Sequence, residues 1–76
     1  IINDTWGGVD PRLQEVAAEF GAGLVCAHTG GALPRTRPFR VSYGTTTRGV
    51  VDDVIRQVTT AAERAVAAGV ARDRVL

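Results

Sequence analysis

Lysine and methionine are absent from the 76 residues, and cysteine, histidine, tryptophan and tyrosine occur once each. A lone Cys26 can close no disulfide within the chain, which points to a reducing, cytoplasmic setting. His28 has no second histidine, and no Cys or carboxylate at ligand spacing beside it, which argues against a metal site within the segment. Long apolar runs are missing as well. Nothing reaches the ~20 residues that cross a bilayer, so no membrane partner is expected. All 9 basic residues are arginine, set against 8 acidic ones, and a net charge of +1 makes no general case for nucleic acid. The chain is instead 45% apolar without a polar low-complexity tract, which places it among globular proteins of at most one domain.

The order of elements carries more information. Ile1-Ile2 reads as the last residues of a strand, with Asn3-Asp4 and the loop Thr5-Trp6-Gly7-Gly8 after it. Asp10 and Pro11 suit the N-cap and first position of a helix. Leu13, Val16, Ala17 and Phe20 recur on one helical face, and Gly21 supplies a left-handed stop. Leu24 to Ala27 is a short apolar run of the kind found in strands covered on both faces. A loop with three glycines and two prolines follows from Thr29 to Thr46. Thr47 then caps a second helix, Asp52 and Asp53 complement its dipole, and a broad apolar stripe continues to Gly69. Val75-Leu76 begins another strand. Alternation of this kind predicts parallel strands joined by right-handed crossovers. The expected fold is therefore part of a (β/α)8 barrel, with a doubly wound open sheet as the alternative. A whole barrel takes ~250 residues, so residues 1–76 are expected to be an internal fragment of one barrel domain, truncated at both ends.

In such folds ligands gather where strands end. Asn3 offers a donor and an acceptor side by side, which suits the edge of a planar nitrogen heterocycle; the other reading is a bond to loop backbone. Asp4 faces the opposite side of the strand and suits a loop brace. His28 has the chemistry of a general base, but a structural role at a strand end is preferred. Cys26 reads as a small buried hydrophobe. Arg35, Arg37 and Arg40, with Arg48, lie in a stretch from Phe20 to Val51 that holds no acid, so either an anion site or a solvated loop is expected.

These residues together resemble the dihydropteroate synthase (pterin-binding) family over essentially the whole chain. The features are Ile2-Asn3-Asp4, Gly7-Gly8, Asp10-Pro11, the Ala17-Ala18-Glu19 helix, His28 before Gly30-Gly31, and the helix from Ala61 to Val70. The stretches Asn3-Asp4-Thr5-Trp6 and Thr36-Arg37-Pro38-Phe39-Arg40 bring it nearest to the actinobacterial second-copy members. The resemblance implies a barrel that condenses 6-hydroxymethyl-7,8-dihydropterin pyrophosphate with p-aminobenzoate, releasing pyrophosphate, in folate biosynthesis. It also implies Mg2+ on the pyrophosphate, with ligands outside this segment, and a homodimer at full length. Asn3, Thr5 and Ala27 match pterin-binding positions. Active synthases carry Ile or Val, and Met, where this chain has Thr5 and Ala27. Losing the apolar contact of Met for Ala costs ~1–2 kcal/mol of ring binding at about 25 cal/mol per Å2. The family's catalytic Asp, Lys and Arg positions and its metal-binding Asn fall outside the chain. The alternative to a working transferase is thus a catalytically inactive paralogue that binds a pterin or another anion.

Overall fold

A computed structural model describes residues 1–30 and 47–76. Strand β1 (Ile2–Asp4) leads through a turn to helix α1 (Arg12–Phe20), which returns the chain to strand β2 (Leu24–Cys26). Helix α2 (Thr47–Ala67) and a single 3-10 turn (Arg72–Arg74) follow. The two strands pair in parallel, with Ile2 opposite Leu24, Asn3 opposite Val25 and Asp4 opposite Cys26. On the other edge of β2, Val75 makes a parallel bridge to Leu24. The Cys26 amide donates to the Leu76 carbonyl at 2.8 Å, and the Leu76 amide to the Leu24 carbonyl at 2.9 Å. Three consecutive chain segments therefore run the same way, as the βαβα alternation requires.

Local chemistry explains the elements. Asp10 Oδ1 accepts from the Arg12 amide at 3.0 Å, and Pro11, with helical dihedrals, takes the cap position itself, one residue later than expected. Asp10 also pairs with the Arg12 guanidinium at 2.9 Å. Gly21, at φ 61°, closes α1 as an L side chain rarely would, and the Ala22 amide donates back to the Ala17 carbonyl at 2.9 Å. The 3-10 turn has no counterpart in the periodicity. It lifts the chain from the end of α2 into register beside β2, and Arg74 Nη1 donates to the Gly21 carbonyl at 2.6 Å.

Packing is done by small residues. Ala17, Leu24, Ala65 and Val70 form the core, with Ile2, Ala18, Cys26 and Val75 partly buried against it. Methyl side chains let both helices lie close on the strands. This changes the expected face of α1: Gln14 and Ala17 are buried, whereas Val16 is 42% and Phe20 75% exposed. The contact line runs through Ala17 and Ala18, whose short side chains let the helix lie close, with Gln14 buried one turn before them. Along α2, Ala61 and Ala65 point inward while Val51, Val54, Ile55 and Val66 stay exposed. The broad stripe thus divides into a buried line and an uncovered flank. No helix among the described residues is long and apolar enough to cross a membrane.

Candidate functional site

Alternation along β1 sorts its three residues. Ile2 packs on the core and Asp4 is buried, so the helices cover that face, and Asn3 stands exposed on the opposite one. Among the described residues the Asn3 side-chain amide has no hydrogen-bond partner, so the alternative bond to loop backbone is not made. Asp4 sits where expected, on the helix side, and its carbonyl accepts from the Gly7 amide at 3.2 Å. Thr5 lies exposed in the turn just past β1. Ala27 lies half-buried just past β2, two residues beyond the partner of Asn3. Parallel pairing thus brings the ends of both strands to one edge of the sheet. Arg35, Arg37 and Arg40 lie outside the described residues.

Ala27 borders a cleft of about 230 Å3 with Gly7, Arg56, Gln57, Thr60, Ala61 and Arg64. The cleft joins the β1–α1 turn to α2 behind the strand ends. Gly7 makes this approach possible: at φ 62°, an added Cβ would lie 3.1 Å from the Ala27 carbonyl oxygen and 3.2 Å from Thr29 Cγ2. A side chain there would both strain the turn and push on the tip of β2.

The principal polar contact at this edge is one that periodicity did not reveal. His28 Nε2 lies 2.7 Å from Asp53 Oδ2, with the two side chains 20% and 15% exposed. Gln57 Nε2 donates to the same carboxylate oxygen at 3.0 Å, while Gln57 Oε1 accepts from the Thr29 amide at 3.4 Å. Arg56 pairs with Asp53 Oδ1. The hydrogen bond from His28, and then the nearby Arg56 guanidinium, hold the Asp53 carboxyl below the usual carboxylate range against the opposing effect of burial. With that carboxylate ionised, Nε2 is the imidazole nitrogen that carries the proton.

His28 is thus tied to α2 at the strand end, and the role expected of Asp53 needs correction. Neither aspartate lies in the first turn of α2, where a helix dipole acts. Asp52 is a surface residue paired with Arg48 at 3.0 Å, and Asp53 turns inward to His28. A sequence signal did exist. Asp53 and Gln57 are spaced i, i+4 within a helical face otherwise kept by Val50, Ala61 and Ala65, and polar pairs on a buried line require partners. Cys26 behaves as the small hydrophobe expected, since burial and then the Asp4 charge push its thiol up, away from the reactive thiolate. No group of three His, Cys, Asp or Glu among the described residues lies close enough to hold a metal ion. They offer no ligand set for Mg2+.

Comparison with known proteins fits this arrangement. The family described as pterin binding enzyme matches residues 1–76. Proteins named inactive dihydropteroate synthase 2 from Mycobacterium tuberculosis and Mycobacterium bovis are 88% identical over the whole chain, which covers 24% of each. The protein of that name from Mycobacterium leprae is 86% identical, and the chain covers 26% of it. The chain thus spans about a quarter of the length of these curated relatives. The solved structure of Rv1207 from Mycobacterium tuberculosis superposes with a TM-score of 0.73 at 72% identity, over 99% of this chain and 26% of that one. Parallel strand ends, the exposed Asn3 amide and a family match from the first residue to the last lead to one conclusion: the chain belongs to the pterin-binding enzyme family.

Proposed function

We propose that this chain forms one wall of a pterin pocket in a longer (β/α)8 barrel, and that the barrel binds a pterin without completing the synthase reaction. The observation that carries the reading is Asn3. Its amide is exposed and unpartnered among the described residues, on the sheet face turned away from the helices, at the carboxyl edge of parallel strands. In a closed barrel that face is the interior, where an amide donor and acceptor can meet a ring edge. The exposed Val16, Phe20, Val51 and Ile55 support a longer polypeptide, because further barrel elements would cover them.

One feature favours binding over turnover: relatives sharing nearly nine in ten residues are named inactive. Thr5 and Ala27 present little apolar surface to a ring, which weakens binding by ~1–2 kcal/mol. A working transferase, joining 6-hydroxymethyl-7,8-dihydropterin pyrophosphate to p-aminobenzoate with Mg2+ bound by residues outside this segment, is the competing reading that the family match favours. Homodimerisation and a cytoplasmic setting belong to both. Titration of the full-length protein with the pterin pyrophosphate by calorimetry, followed by a turnover assay with p-aminobenzoate, separates them. The expected result is binding without dihydropteroate. Binding should weaken by ~1–3 kcal/mol in Asn3→Ala, which leaves the ring edge unpaired. Unchanged affinity in that variant would remove Asn3 from the pocket, and steady product formation would restore the transferase.

A further inference from the structure

We propose that Asp53 and Gln57 are positioning residues for this pocket: from the outer helix they fix the tip of β2, and with it Ala27. The inference rests on the pterin reading above. Ala27 has only a methyl group and cannot anchor itself, and β2 is three residues long. The two residues that follow Ala27 are the ones α2 grips. His28 bonds Asp53 at 2.7 Å, and the Thr29 amide reaches Gln57 at 3.4 Å. Gln57 in turn donates to Asp53 at 3.0 Å, so the two helical side chains, one turn apart, brace each other as well as the strand tip. Each atom is used according to its chemistry: the carboxylate accepts twice through one oxygen, and the amide donates with its nitrogen and accepts with its oxygen.

The opposite flank of the tip is held by shape. Gly7 brings the β1–α1 turn so near that a Cβ would stand 3.1 Å from the Ala27 carbonyl. A strand tip supported on both sides, by a tight backbone turn and by a side-chain clasp, keeps the neighbouring pocket wall within the ~0.5 Å that recognition of a rigid ring demands. Among the described residues, Asp53 faces His28 directly and Arg56 pairs with Asp53 behind it.

The test is made in the full-length protein with 6-hydroxymethyl-7,8-dihydropterin pyrophosphate as the probe. Asp53→Asn removes the charge that orients His28, and Gln57→Ala cuts the link to Thr29 without touching the core. Each should speed hydrogen exchange of the Thr29 amide by about tenfold and weaken pterin affinity by roughly two- to tenfold. The doubly substituted Asp53→Asn, His28→Gln protein should bind no worse than the weaker single variant, since both members serve one contact. Gln57→Glu keeps an acceptor for Thr29 but sets a second carboxylate against Asp53, so it should not recover the affinity lost in Gln57→Ala. Faster exchange with unaltered pterin affinity in both single variants would reduce the clasp to a structural tie and overturn the proposal, as would unchanged exchange. A wild-type protein that binds no pterin would instead remove the underlying reading, and the positioning role with it.

Discussion

The two βα units of this chain solve the same problem by different means. In the first, β1 is followed by a turn closed by backbone alone: the Thr5 amide donates to the Asn3 carbonyl at 3.1 Å, and the Gly7 amide to the Asp4 carbonyl at 3.2 Å. In the second, the tip of β2 is tied by side chains that lie 25 and 28 residues further along the chain. A tight turn fixes a strand end at little entropic cost. Among the described residues, the tie at the second strand end is a remote polar clasp. The two means also differ in vulnerability, since the backbone turn depends on glycine at positive φ at Gly7 and Gly8 and the clasp depends on the side chain of each member.

Removing what both units share should have the largest effect. Leu24 is the largest fully buried side chain among the described residues, and it packs with Ala17 of the first unit and Ala65 of the second. Leu24→Ala should cost ~2–5 kcal/mol by chemical denaturation of the full-length protein. A smaller loss would mean that the units are held mainly by their own loops.

A pair of glycines sharpens the comparison next. Gly7 and Gly21 have nearly the same dihedral, φ 62° and 61°, but an added Cβ at Gly21 meets nothing within 4 Å while one at Gly7 meets the tip of β2. Gly21→Ala should therefore cost only the left-handed strain, ~1–2 kcal/mol. Gly7→Ala should cost that strain plus the displacement of Ala27 and Thr29, up to about 3 kcal/mol. Equal losses, measured side by side by thermal denaturation, would show that the turn does not press on β2.

How far the sequence foretold these features depends on their range. Element order as far as α2, strand direction and the Gly21 stop of α1 follow from local rules and are observed, whereas the strand expected at Val75-Leu76 is reduced to a parallel bridge with Leu24. Asn3 could be assigned to the open face from alternation alone. The expected face of α1 holds at Ala17, which is buried, but Val16 and Phe20 lie exposed because close packing favours the short side chains of Ala17 and Ala18. The 3-10 turn at Arg72–Arg74 answers to sheet register, a property of strands far apart in sequence. The partner of His28 was hidden for the same reason, since no local pattern specifies which residue 25 positions away turns toward it.

The clasp should also make itself felt in acid. A carboxyl held below its ordinary value in the folded chain adds stability that is complete above its unfolded value of about 3.9, and that disappears as the pH falls through the folded one. Asp53 is such a group, and Asp10 is another, held low chiefly by the hydrogen bond from the Arg12 side chain. The melting temperature of the wild-type protein should therefore fall more steeply below about pH 4 than that of Asp53→Asn, which keeps only the Asp10 share. Parallel curves for the two proteins would show that Asp53 gains nothing from its partners on folding.

The smallest effect is expected one residue away. Asp52 pairs with Arg48 at 3.0 Å, yet their side chains are 62% and 73% exposed, so water screens the attraction and both chains keep most of their freedom. The order is also the weaker one for a helix, with the base preceding the acid. Asp52→Asn should cost no more than ~0.5 kcal/mol, and that difference should vanish in about 1 M salt. Adjacent aspartates on one helix would then differ because one meets solvent and the other meets the tip of a strand. A loss at Asp52 that matched Asp53→Asn and survived high salt would assign the effect to the charge of α2 as a whole, and the contrast between a clasped and an unclasped strand end would lose its cause.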